Sequence, residues 1–156
     1  MGMKMKEIYE KICISMTGLI IGEKFGLLFP AISLLTILMI LDYFSGMLAA
    51  KKEAVEHPND SRYGWSSKKS IIGIYKKLGY IMTIIVSVSI DYVLQLYGEK
   101  LGIEIQMKTV FGLLVTIWLI INELISILEN AGRMGVELPQ LLKRTLAELK
   151  KDIEEQ

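Results

Sequence analysis

Three carboxylates, Asp42, Asp91 and Glu123, each sit inside a long apolar stretch of this 156-residue chain. A carboxylate at bilayer depth costs about 2.5–3.5 kcal/mol on insertion scales, so each must face protein or water instead of lipid. Acids so placed either serve ions or tie helices together, and their neighbours help to separate the two. Asp42, Gly46 and Ala50 recur at i, i+4 and i+8 and share one helix face, where small residues let another backbone approach closely. That face is either packed within one monomer, with Asp42 hydrogen-bonded, or a contact between protomers that becomes wet when they rearrange. Asp91, Gln95 and Ser87 form a polar ridge, either hydrogen-bonded to another helix or facing a lumen. Asn122-Glu123 opens a third cluster, in which Glu123, Ser126 and Asn130 share a face and Glu129 and Asn130 reach the interface.

Elements that position these groups are legible from hydropathy. Phe25–Ala50, Leu78–Gly98 and Thr109–Leu128 are each long enough to span, since a crossing takes about 20 residues at 1.5 Å apiece. Helices of a soluble bundle would carry polar stripes every three to four residues, and these stretches do not. Composition agrees: 52% hydrophobic residues, 22% charged, and a mean hydropathy of +0.42. The spacing predicts an all-α membrane protein with three transmembrane helices. Residues 1–24 form an interfacial segment, residues 25–128 the membrane domain and residues 129–156 a tail. Ile12–Gly22 is too short to cross, and Ile8, Ile12, Met16 and Leu19 recur at helical spacing, as in an amphipathic or re-entrant helix. In the tail, Leu138, Leu142, Leu146, Leu149 and Ile153 mark a soluble amphipathic helix.

Charge placement sets the orientation. Residues 51–77 hold seven Lys and Arg and the tail five, against four in the N-terminal segment and two in the loop at 99–108. The positive-inside rule puts the C-terminus in the cytoplasm and the N-terminus outside. Were Ile12–Gly22 to cross, Lys4, Lys6 and Lys11 would move inside, a better charge score from a span that is too short. Asp42 and Glu123 then lie at similar depth, and Lys76 and Lys77 can snorkel towards them from the start of the second span. Trp65, Lys76 and Lys77 serve as interface anchors, with Ser66 or Ser67 as an N-cap.

Several function classes are excluded. A net charge of +1 offers no basic excess for nucleic acid. One cysteine, Cys13, and one histidine, His57, leave no zinc cluster and no metal site, and no phosphate loop or other enzyme constellation is present. No cofactor is expected. Glu7, Glu10 and Lys11 interrupt any signal-peptide core, and Lys6 replaces the Ser or Thr of a myristoylation signal. Inverted repeats and a selectivity filter, marks of a transporter or channel, are not visible.

Ile40-Leu-Asp42-Tyr-Phe-Ser-Gly46-Met-Leu-Ala49-Ala50 resembles the first-span signature of the phage holins that include the clostridial toxin-secretion holins. Gly73-Ile-Tyr-Lys76-Lys77, Asp91, and Asn122-Glu123-Leu-Ile-Ser126-Ile-Leu-Glu129-Asn130 follow in the expected order, then Gly135 and Pro139, so the likeness runs from about Leu27 to Leu149. The resemblance implies a phage or prophage protein that accumulates in the bacterial inner membrane as a homo-oligomer. At a set time it opens lesions that release an endolysin or a toxin, with no direct contact needed. Alternatives are an antiholin-like regulator or scaffold, whose tail helix binds a partner, and a small channel or transporter subunit. In holin families alternative starts can yield a longer inhibitory form, and here starts at Met3 and Met5 differ by Lys4.

Overall fold

The computed structural model describes residues 26–60, 62–103 and 108–140, with Leu142, Arg144 and Glu148 beyond. The expectations for Cys13, the Ile12–Gly22 segment and most of the tail helix lie outside these residues. Three helices make up the architecture: α1 (Leu28–Glu56), α2 (Ser67–Lys100) and α3 (Val110–Arg133). All three are long and apolar enough to cross a membrane, and among the described residues there is no strand.

Each helix exceeds its apolar run, because polar residues continue the helical backbone past the hydrophobic stretch. Pro30 falls in the first turn of α1, where its missing N–H leaves no hydrogen bond unmade. That helix stops at Glu56, since Pro58 disfavours helical geometry at His57. In α2 the first turn begins beyond Gly64, and the Ser70 amide donates to the Ser66 carbonyl at 3.0 Å. Lys76 and Lys77 therefore lie a third of the way along a helix instead of heading it. Both α2 and α3 end in the same way. A glycine with positive φ, Gly102 or Gly135, closes the last turn through paired reverse hydrogen bonds. Ile103 donates to Gly98 at 2.9 Å, and Val136 to Ala131 at 3.0 Å. Glu129 and Asn130 are part of α3, which runs five residues beyond the sequence-based span.

The chain falls into two compact units, and every helix contributes to both. One unit joins the residues up to Leu34 with Ile81–Ile117; the other joins Leu35–Tyr80 with the residues from Trp118. Leu28, Ser87, Asp91 and Thr116 are buried in the first, and Leu35, Leu38, Ala49, Tyr80, Leu119, Glu123 and Asn130 in the second. Only 11%, 11% and 22% of the most apolar stretches of α1, α2 and α3 are buried in the protein. Such helices need lipid or other protein around them, because unsheltered apolar surface of this extent is not stable in water. Hydroxyls within the helices are satisfied locally: Ser33, Ser87, Ser89 and Thr116 donate to carbonyls three or four residues back.

Candidate functional site

In the second unit, Lys77 sits between two of the three acids. Its Nζ donates to Asp42 Oδ2 at 3.0 Å and to Glu123 Oε2 at 2.5 Å. Glu123 is 1% exposed and the Lys77 side chain 15%, so the ion pair lies in a low dielectric, where an uncompensated charge would be costly. Asn130 extends the network from α3. Its Nδ2 donates to Asp42 Oδ1 at 3.2 Å and to Ser45 Oγ at 3.0 Å, while its Oδ1 accepts from Arg133 Nη1 at 3.0 Å. Arg133 in turn grips Glu53 with both arms of its guanidinium, each at 2.8 Å. Lys52 donates to the Arg133 carbonyl at 3.1 Å and pairs with Glu56 at 2.8 Å. A polar chain thus connects α1, α2 and α3 within this unit.

The small-residue face of α1 is occupied by the same chain. A Cβ added at Gly46 would meet Asn130 Nδ2 at 3.4 Å, an ordinary contact, so Asn130 packs directly on the glycine. Asp42, Gly46, Ala50, Lys77, Ser126 and Asn130 line a cavity of about 230 Å³, which Trp65 and other loop residues border. Asn122 is half-buried and outside that lining, and Glu129 is half-buried one turn before Arg133. Lys76 is exposed, with its ammonium 5.7 Å from the ring centre of Tyr80. Trp65 is 55% exposed.

Asp91 does different work in the first unit. Its Oδ1 accepts from the Phe111 amide at 2.9 Å and its Oδ2 from the Gly112 amide at 2.7 Å. These are second and third residues of α3, whose amides have no partner within the helix. The carboxylate therefore caps α3 from α2, where the helix dipole also favours a negative charge. Gln95 Nε2 donates to the Lys108 carbonyl just before the same helix start. Ser87, although buried, uses its hydroxyl on the Ile84 carbonyl of its own helix. The polar ridge of α2 thus receives the beginning of α3.

Four participants escaped sequence reasoning. Glu53 and Arg133 are 80 residues apart, and each looks like an ordinary interfacial charge in the sequence. Ser45 looks there like a filler residue between Asp42 and Gly46. Gly112 carries no local signal, yet a Cβ there would lie 3.0 Å from Val88 Cγ2 and 3.3 Å from Leu28 Cδ2. Among the described residues, no group of three His, Cys, Asp or Glu is placed to hold a metal ion.

Comparison with known proteins bears on what such a network serves. The pattern of the bacteriophage holin family matches residues 19–151, which include all three helices. The chain belongs to this family. An uncharacterized protein of Halalkalibacterium halodurans is 35% identical over 121 residues, 78% of either chain. One of Listeria innocua is 30% identical over 144 residues, covering 90% of this chain and 86% of its own. One of Clostridium perfringens is 28% identical over 142 residues, covering 88% and 91%. No solved structure matches the chain. As a holin-family protein with three apolar helices, the chain is a multi-pass membrane protein, and its family is one of membrane pore formers and regulators, not enzymes.

Proposed function

We propose that this holin-family chain is itself a holin, one that associates into lesions in the bacterial cytoplasmic membrane and releases an endolysin or a toxin. The observation that carries the reading is the Lys77 bridge between Asp42 and Glu123, set among helices whose apolar faces are largely uncovered. Apolar outer faces suit dispersed protomers in lipid. The internal ion pairs and the Asn130 contacts are groups that water or a neighbouring protomer can satisfy equally well. A switch from internal partners to intermolecular or wet ones gives two states of similar energy, as timed opening requires. Positive charge in residues 51–77 and the tail supports a cytoplasmic C-terminus, with the amphipathic tail on that side and residues 1–24 at the other interface. The endolysin or toxin needs no direct contact with the holin to pass through the lesion.

Two variants test the reading at the face concerned. Asp42→Asn removes a charge from the bridge, and Gly46→Leu drives a side chain into Asn130. Both should change oligomer size on native gels and shift lysis timing in an inducible host. Unchanged oligomers and unchanged timing in both would contradict the reading.

A further inference from the structure

We propose that Arg133 is a latch between α3 and α1, and that its release from Glu53 admits water to the buried Asp42, Lys77 and Glu123. Four side chains of α1, Asp42, Ser45, Lys52 and Glu53, bond to just two residues of α3, Asn130 and Arg133. Arg133 ends α3 and makes three contacts at once. Its guanidinium holds Glu53 and the Asn130 Oδ1. Its backbone carbonyl, one of those a helix end leaves unpaired, accepts from Lys52.

The contact with Asn130 couples this latch to the interior. Asn130 is 7% exposed and lies on Gly46, with its Nδ2 on Asp42 and Ser45. Without Arg133 its Oδ1 has no donor, and a buried amide oxygen left unpaired is costly. Withdrawal of Asn130 towards water meets that need, and takes its Nδ2 off Asp42 and its bulk off Gly46. Of its side-chain partners Asp42 then keeps Lys77 alone, which Glu123 also claims.

Exposure and space both favour opening from this end. The side chains of Arg133 and Glu53 are 42% and 22% exposed, those of Asp42 and Lys77 less so, and Glu123 is enclosed. A partly exposed ion pair breaks readily, and a buried one does not, so the outer pair yields first. One cavity of about 230 Å³, with room for several water molecules, is lined by Glu53, Arg133, Asn130, Asp42 and Lys77. Movement of Arg133 thus widens a path that already reaches the inner pair. As a control on lesion formation the latch rests on the holin reading; as a gate for water it does not.

The full-length protein in a neutral detergent, carrying Cys13→Ser, provides the test through two cysteine reporters. Ser126→Cys lines the cavity, and Ser87→Cys is buried in the first unit. A charged methanethiosulfonate should modify the Ser126→Cys reporter about fivefold faster once Arg133→Met is added, the upper end for a partly exposed ion pair. The rate at the Ser87→Cys reporter should not change. Glu53→Gln should quicken the first reporter less, because Arg133 then still holds Asn130. Combined with Arg133→Met it should add nothing, since both substitutions remove the same bond. An unchanged rate at the first reporter, an equal rise at both reporters, or effects of the two substitutions that multiply would overturn the latch. In an inducible host Arg133→Met should also shorten the delay before lysis. Faster modification with no lysis by the unaltered chain would contradict the holin reading and leave the latch standing. An unmoved modification rate with normal lysis would contradict the latch alone.

Discussion

Lys77 is the residue on which the second unit turns. Breaking a buried ion pair by removing one partner costs about 3–5 kcal/mol, because the other charge stays behind. Lys77→Met should lower stability by about that amount in denaturant unfolding of the detergent-solubilised protein. The combination Asp42→Leu, Lys77→Met and Glu123→Leu should recover most of it, since an apolar replacement of a whole buried triad is usually tolerated. A combination as unstable as Lys77→Met alone would mean that the charges contribute more than their mutual compensation. Gly112 gives a second test at this scale. Gly112→Ala forces Val88 or Leu28 to move and should cost about 1–3 kcal/mol by overpacking. Gly79→Ala, with nothing within 4 Å of the new Cβ, should be neutral or mildly stabilising. The acids themselves were legible from sequence, because charge inside an apolar run is conspicuous. Lys77 was legible as a neighbour of Asp42 and Glu123 only through an argument from depth. Gly112 was not, because its role depends on Val88 and Leu28, which arrive from other helices.

At the scale of elements, capping decides where α3 begins. Asp91→Ala removes the acceptor of two α3 amides and should cost about 0.5–2 kcal/mol, the usual range for a lost cap. Hydrogen exchange should quicken at Phe111 and Gly112 while the amides of α1 change little. Uniform quickening along all three helices would assign Asp91 to global packing instead. The loop between α1 and α2 contributes a pH dependence. Arg62, bidentate on Asp60, holds that carboxyl below its ordinary value of 3.8. A depressed carboxyl stabilises the loop above its unfolded pKa, and that contribution fades as pH falls through the lower folded value. Arg62→Gln should therefore move the Asp60 titration midpoint upward in a pH-dependent NMR series; an unmoved midpoint would assign the shift to the backbone. Three helices with their order were evident from hydropathy alone. Their ends were less so, because polar residues such as Lys51–Glu56 and Ser67–Lys77 continue a helix once water or headgroups satisfy their side chains. The cap on α3 was hidden too: Asp91 reads as a membrane acid until the start of α3 is set against it.

For the whole molecule, the central tension is between satisfied interiors and uncovered exteriors. The ion pairs and the cap give the three membrane acids partners inside the two units, while most of the apolar surface of the helices awaits lipid or another protomer. Within each unit the polar groups join helices: Lys77 and Asn130 link α1, α2 and α3 in one, and Asp91 ties α2 to the start of α3 in the other. The face of Asp42, Gly46 and Ala50 illustrates how far sequence could go. Its small residues signalled close packing, but not whether the visitor came from the same chain, and in this structure Asn130 of the same chain occupies it. The holin activity proposed above requires that arrangement to be reversible, and the exchange of internal for external partners is the part of the proposal most open to test. Inducible expression in a bacterial host, with and without a co-expressed endolysin, measures its outcome directly. Growth should halt abruptly after a delay, and cytoplasmic protein should then be released only when endolysin is present. Loss of membrane potential without passage of protein, or growth that continues undisturbed, would contradict lesion formation by this chain.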